Sequence, residues 1–543
     1  MKIVRNKEAP LNQSRDIYAV RALEVIPSII TLQDRNPHSP TYGCFDRNYW
    51  HYKIIDFPSG MAQEFVLPLA LAWQVNLPGN TFFSQPMIRE WIEAGIRFTA
   101  SSSHWDGSCD DYFPYERAGG AAAFSLLACL TSYEIVNMKD EEVLSFFHRR
   151  VDWLASHKES GRLSNHQALI VLCLELASRL LNTREWDVAI KERLDSLLSW
   201  QNSEGWFQEY EGCDPGYHTL TLSCLAWFHN LRSDSVLKEA LIRGVNFAAH
   251  FVHPDGSFGG EYTSRNTYNC FPHGFEVIGK WMPEALIISD RIARGLAGGK
   301  AACYHDDHIV GHHAWNYLLT WRDFALDRPA LHAVQPESAY FPNAGLLIEQ
   351  KGTTRLYVAL NKGGAFKLFR GDRLIASDTG FSVLTRRRHK IRNAVAHMVG
   401  QYDHNLGPDG VGVSGDLGWA KQTRMTPVKL LLLRVVMLTI GRFFPNAIRG
   451  ILQRLLITGK RGAPFAFSRQ LRWVGEQLHI RDELRSNNWE SVESVALGTS
   501  QTSIYVVMSR TFQEGQLLMA HDLTDQIRKE RSPSDTLSWE RVL

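Results

Sequence analysis

Two stretches decide the fold: SGRLSNHQALIVLCLELA at 160–177 and EGCDPGYHTLTLSCLAWF at 211–228. Each starts as a glycine-containing polar loop and turns, at Asn165-His166 and at Tyr217-His218, into an apolar run of helical period. The two junctions lie about fifty residues apart, the length of one helix–loop–helix hairpin.

The same alternation extends outward over the first 325 residues. Polar loops recur as DGSCDDYFPYERAGG at 106–120, EGWFQEYEGCDPGYH at 204–218 and DGSFGGEYTSRNTYNCFPHG at 255–274, each leading into an apolar stretch such as AAAFSLLACLTSYEIV. Helical repeats of this length build either an open solenoid or a closed α/α toroid. The toroid is favoured because the loops, not the helices, carry the aromatic and charged residues. In a toroid those loops gather at one end. Tryptophan is abundant, at 16 residues, which suits sugar stacking there, although most tryptophans serve the core.

From about residue 335 the texture becomes that of strands. YFPNAGLLIEQK, TRLYVAL, AFKLF, DRLIASDTGF and SIYVVMSRTF are short β-rich runs separated by Gly, Asn and Asp, and FAFSRQLRWVGEQLHIRDEL alternates in the same way. The expected fold class is α+β and multidomain. An N-terminal α/α toroid, an incomplete barrel of helical hairpins, takes residues 1–330, and an antiparallel β-sandwich takes 331–543.

Composition sets the outer limits. A chain of 543 residues with 44% hydrophobic content has material for two or more cores. The net charge of +2 implies no general attraction to nucleic acid. All eight cysteines fall in the first 303 residues without C-x-x-C spacing, and Cys129, Cys173 and Cys224 sit inside apolar helical runs. They read as small core residues rather than a disulfide framework or a zinc site. The opening MKIVRNKEAPLNQSRD has no apolar secretory segment, so the expected location is cytoplasmic.

The Asn-His pair opening one helix and the Tyr-His pair opening the next resemble the heparinase II/III-like polysaccharide lyases and the related uronyl C5-epimerases. The order of the motifs, the Gly and acidic residues upstream, and their separation all match. YFPNAGLLIEQ followed by GDRLIASDTGF is similar to that family's first sandwich strands. The resemblance implies a toroid plus sandwich and an anionic, uronate-containing polysaccharide as substrate. One departure stands out: members of the family place a histidine-rich loop between those strands, and NKGGAFKLFRGDRLIASDTG at 361–380 contains no histidine.

Abstracting the C5 proton of a uronic acid requires that its carboxylate be neutralised, that a base reach the carbon, and that an acid protonate the departing oxygen. Asn165 suits the first task, and His166 and Tyr217 share the other two. A tyrosine base must lose a proton from a reference value near 10, so it needs a nearby cation. Arg265 is one candidate, and its guanidinium also suits a sugar carboxylate. The substrate-binding set is completed by Asn266, His218 behind Tyr217, Tyr112, Tyr115 and Glu261. Arg265 is equally open to an ion pair with Glu261 inside its own loop, and Glu116 and Arg117 read as serving a helix start. No cofactor is required. A divalent metal is a separate expectation on His308 and His312, four apart in YHDDHIVGHHAWNYLLTW, set against a polar helix start capped by Asp306 or Asp307. Beside β-elimination stand two other readings: C5 epimerisation, and a non-catalytic glycan-binding or assembly factor in exopolysaccharide biosynthesis.

One segment has no counterpart in that resemblance. Between Leu417 and Gly475 there is no Asp or Glu but there are eleven Lys or Arg, and KLLLLRVVMLTIGRFFPNAIRGILQRLLITGKR at its centre is strongly apolar. Arg434 and Arg442 interrupt it too soon for a membrane span of about 20 residues. Pro445 divides it into two helices. A basic amphipathic insert at about 421–462 is expected, either packed on the sandwich with its arginines solvated or in peripheral contact with an anionic membrane at its inner face.

Overall fold

A computed structural model describes residues 13–77, 79–159, 161–209, 212–300, 309–329, 338–388, 390–420, 424–453, 461–498, 512–529 and 536–543. The helical half comprises α1 (Gln13–Leu32), α2 (Arg47–Trp50), α3 (Val66–Gln74), α4 (Pro86–Ser101), α5 (Gly119–Ile135) and α6 (Glu141–Ser156). It continues with α7 (Ser164–Leu180), α8 (Asp187–Ser199), α9 (Pro215–Leu231), α10 (Ser235–Ala249), α11 (His273–Gly279), α12 (Glu284–Ala297) and α13 (Ile309–Arg322).

Six of these helices form a ring. α3 packs on α5, α5 on α7, α7 on α9, α9 on α11, α11 on α13, and α13 on α3. Patterning decides which helices go inside. α5 is buried from Gly119 to Tyr133 with hardly a polar side chain, and α7 and α9 are nearly as apolar around their circumference. A helix apolar on all sides must be enclosed. α6 instead buries Val143, Phe146, Phe147, Arg150, Val151 and Leu154, one stripe at helical spacing, and it packs outside on α5 and α7. Aspartates fix where several helices begin: Asp140, Asp214 and Asp234 accept N-terminal amides of α6, α9 and α10, each cap stabilising by about 1 kcal/mol.

The second half is an antiparallel sandwich. β1 (Ala339–Phe341), β2 (Leu346–Lys351), β3 (Thr354–Ala359), β4 (Ala365–Arg370) and β5 (Arg373–Asp378) form a sheet in sequential order. The larger sheet contains β6 (Phe381–Arg387), β7 (Lys390–Val395), β8 (Asp403–Gly407), β9 (Gly410–Trp419), β10 (Gly462–Val474) and β11 (Gln477–Arg485). β12 (Val492–Leu497), β13 (His521–Asp522) and β14 (Leu537–Val542) complete it. Every residue of β3 is buried: Leu356 and Val358 meet Val411, Val413 and Leu471 of the large sheet, while Tyr357 and Ala359 join the toroid core. The small sheet is thus a middle layer, which couples the two halves.

Two short helices, α14 (Pro427–Leu438) and α15 (Pro445–Gln453), interrupt the large sheet between β9 and β10, and α16 (Thr524–Lys529) follows β13. The seven described cysteines are free and buried. The expected strand SIYVVMSRTF lies outside the described residues except for Phe512.

Candidate active site

The loops that precede the inner helices are knitted together by side chains reaching from one to the next. Asp214, fully buried at the start of α9, caps Tyr217 N at 3.0 Å and accepts Thr263 Oγ1 at 3.3 Å and Thr267 Oγ1 from the following loop. Thus α9 begins where the 255–274 loop crosses it.

Asn165 sits in the first turn of α7. That helix start lacks a side-chain cap of its own. Glu209, from the loop before α9, supplies one: its Oε1 accepts the Asn165 backbone N–H at 2.9 Å and Asn165 Nδ2 at 2.8 Å. A carboxylate at a helix N-terminus is favoured both by the orphan amides and by the helix dipole. Asn165 Oδ1, in a side chain buried to 1% exposure, has no hydrogen-bond partner among the described residues. The other oxygen of Glu209 lies 3.5 Å from Arg265 Nη1. Burial raises the Glu209 carboxyl above its ordinary value, with Arg265 and Asn165 pulling the other way. The Arg265 guanidinium stands over the Tyr217 ring, 4.2 Å from its centre. Asn165, Glu209, Arg265 and Tyr217 therefore form one continuous chain of contacts.

His166 follows Asn165 and is oriented by a second carboxylate. Its Nδ1 lies 2.8 Å from Glu159 Oε2, and its ring stands edge-on to Phe124. The ring rests on Gly120 of α5, where a Cβ would meet His166 Cε1 at 2.5 Å. Burial pushes the Glu159 carboxyl up, but His166 and Arg449 outweigh it and hold the group at about 2. Arg449 comes from α15, with Nη1 3.4 Å from Glu159 and Nη2 3.0 Å from Glu116. Glu116 in turn accepts the Asp111 and Tyr112 amides at 3.2 and 2.7 Å.

The remaining expected binding residues separate into two groups. Tyr112 is exposed, and Tyr115, at φ 58°, stacks on His104, so both stand on the rim. His218 is instead a core residue: fully buried, it gives Nε2–H to Gly244 O at 3.0 Å and accepts Phe207 N at 3.3 Å through Nδ1. Burial lowers it to about 4, which keeps the ring neutral, and it is not a substrate contact. Glu261 and Asn266 serve the junction with the sandwich. Glu261 accepts Gln516 Nε2 at 2.8 Å and lies 3.4 Å from Lys367 Nζ, while Arg265 pairs with Glu209. Asn266, at φ 58°, accepts from Lys362, whose ammonium also donates to Glu261 O and Thr263 O at 2.9 and 2.7 Å.

Lys362 belongs to the β3–β4 turn, in the segment that has no histidine. A sandwich histidine nevertheless reaches this junction: His397, after β7, is buried, bonds the Thr379 backbone and feels the Lys362 charge. Its Nδ1 has no hydrogen-bond partner among the described residues.

His308, Asp306 and Asp307 lie outside the described residues. His312 points into the toroid core, stacked on Phe124 with ring centres 4.0 Å apart and Nδ1 2.5 Å from Glu64. Among the described residues no group of three or more His, Cys, Asp or Glu is arranged to hold a metal ion.

Sequence reasoning missed Glu209 and Glu159. Glu209 stands one repeat from Asn165, and only the repeat register, which sets that loop beside the preceding helix start, hints at it; Glu159 lies seven residues before His166 in the same loop, where nothing but proximity marks it.

No protein family model matches the chain, and no curated protein matches it. Solved structures do. A xanthan lyase from Paenibacillus superimposes with a TM-score of 0.51 at 10% identity, covering 91% of this chain and 47% of that one. A heparinase III gives a TM-score of 0.44 at 11% identity, over 91% of this chain and 73% of the other. A chondroitin AC lyase variant from Streptomyces coelicolor A3 gives 0.47 at 10% identity, over 91% and 69%. The chain spans about half the length of the xanthan lyase. At 10% identity the likeness to the xanthan lyase is one of fold alone, and the fold of this chain is an α/α toroid followed by an antiparallel β-sandwich.

Proposed function

We propose that the protein cleaves a uronate-containing polysaccharide by β-elimination. The observation that carries this reading is the chain of contacts Asn165–Glu209–Arg265–Tyr217, with His166 beside Asn165 on the same helix end. Asn165 donates to the substrate carboxylate, which gains charge as the C5 proton leaves. Glu209 is a positioning residue that fixes the Asn165 amide and the Arg265 guanidinium. Arg265 over the ring is the cation a phenolate at Tyr217 requires.

His166 and Tyr217 divide the proton work. One takes the C5 proton, the C5–H electron pair becomes the C4–C5 double bond, the C4–O4 bond breaks, and the other residue protonates O4. Glu159 holds His166 by Nδ1, which aims Nε2 as the working nitrogen.

A second reading is a non-catalytic glycan-binding or assembly factor, favoured by the lack of histidine in 361–380. Product analysis on a panel of uronate polysaccharides separates these. A lyase creates an ultraviolet-absorbing conjugated double bond. An epimerase exchanges solvent deuterium into C5 without cleavage, a hydrolase makes reducing ends alone, and a binder retains polysaccharide unchanged. Cleavage without the double bond would overturn the proposal.

A further inference from the structure

We propose that the outer face of the α14–α15 insert is a docking surface for an anionic lipid bilayer. The insert is fastened to the toroid by a few polar side chains, with Met437 of α14 buried close to Arg434. Arg434 pairs with Asp56 at 2.5 Å, Arg449 with Glu116 and Glu159, and Asn446 Nδ2 donates to Lys158 O at 3.4 Å. This reverses the expected packed arrangement, in which these arginines are solvated. It leaves the apolar side outward.

On α14 the residues at i, i+3, i+4, i+7 and i+10 are Val428, Leu431, Leu432, Val435 and Leu438, and all are exposed, Val428 by 76% and Leu431 by 66%. They form a single helical stripe, the kind that normally faces a core. Phe443 and Phe444, in the turn toward α15, are 66% and 62% exposed. A contiguous apolar surface of this kind marks an interaction site rather than ordinary surface scatter.

Charge selects the occupant. Arg424, Lys429 and Arg442 are exposed around the stripe, and no acidic residue occurs between Leu417 and Gly475. A second copy of the same face would bring like charges together with no carboxylate to pair them. An anionic bilayer supplies both the apolar interior and the negative headgroups. α14 has 12 residues, about 18 Å of helix, and among the described residues no helix is long and apolar enough to cross a membrane. Docking is therefore parallel to the surface. This inference does not depend on the chemistry proposed above.

Vesicle flotation of the full chain tests it, with phosphatidylcholine alone and with phosphatidylcholine mixed with phosphatidylglycerol. The wild type floats with the mixed vesicles, less with the neutral ones, and less again at high salt. Leu431→Asn/Val435→Asn and Lys429→Glu/Arg442→Glu, each checked for folding by circular dichroism, lower partitioning on the order of tenfold. Absence of flotation on mixed vesicles at low salt overturns the inference, as does equal binding to neutral and anionic vesicles. So does a wild-type dimer in sedimentation velocity that Leu431→Asn/Val435→Asn dissociates, which would assign the face to a second copy.

Discussion

Replacing Glu159 by Gln removes the charge that orients His166 and receives Arg449 while keeping the side chain's shape. The carboxylate is 6% exposed, 2.8 Å from His166 Nδ1 and 3.4 Å from Arg449 Nη1. Its displacement from the ordinary 4.5 to about 2 corresponds to on the order of 3 kcal/mol at neutral pH. Because the folded value is the lower one, this contribution is present above 4.5 and is lost as pH falls through about 2. Gln keeps one acceptor for Nδ1–H, worth about 1 kcal/mol, so the net loss is about 2 kcal/mol. For a protein of this size that lowers Tm by roughly 2–3 °C. Thermal unfolding at neutral pH by circular dichroism reads it. Glu24→Gln, which breaks the exposed Arg21–Glu24 pair, serves as the control and stays within about 1 °C of wild type. A Glu159→Gln protein that unfolds together with this control refutes the clamp.

Two further outcomes follow from the same contacts. Gly120→Ala places a methyl 2.5 Å from His166 Cε1, at a helical position where Ala is favoured by up to about 1 kcal/mol. The methyl pushes the ring away from Glu159, so Tm falls despite that propensity and turnover on a uronate polysaccharide falls with it, and unchanged turnover would remove His166 from the site. Burial holds the imidazoles of His218 and His157 at about 4, and those of His313 and His397 at about 3. The unfolded chain binds these protons near 6.5 and the folded one refuses them, so stability is full above 6.5 and declines steadily toward 4. Urea midpoints across that range measure the decline, and a flat profile contradicts the burial of neutral rings.

Much of the architecture is legible because enclosure leaves a plain mark on composition. AAAFSLLACL can only be an inner helix, and the alternation of FAFSRQLRWVGEQLHIRDEL appears directly as β10 and β11 with Phe465, Phe467, Leu471 and Trp473 inward. β8 and β9 leave a weaker mark. Gly410, Gly412, Gly415 and Gly418 contribute no side-chain pattern, and at Gly412 a Cβ would lie 2.3 Å from Asn405 Oδ1 across the ladder. Motif residues such as Asn165 and His166 are visible because each opens an apolar helix. The groups that orient them are harder to see: Glu209 acts across 44 residues, and Glu159, though only seven from His166, is itself held by Arg449 across 290. Helical periodicity gave the two faces of the insert but not their direction. Acidic partners elsewhere in the chain, at Asp56, Glu116 and Glu159, turn its polar side inward.

The most direct test of the central claim is the initial rate of double-bond formation by wild-type and Tyr217→Phe protein on the same uronate polysaccharide, at matched fold content. In the proposed β-elimination the phenol hydroxyl performs one of the two proton transfers, and its removal then lowers the rate about 10²–10⁴-fold with the Arg265 contact to the ring retained. A Tyr217→Phe protein that forms the double bond at the wild-type rate contradicts the account.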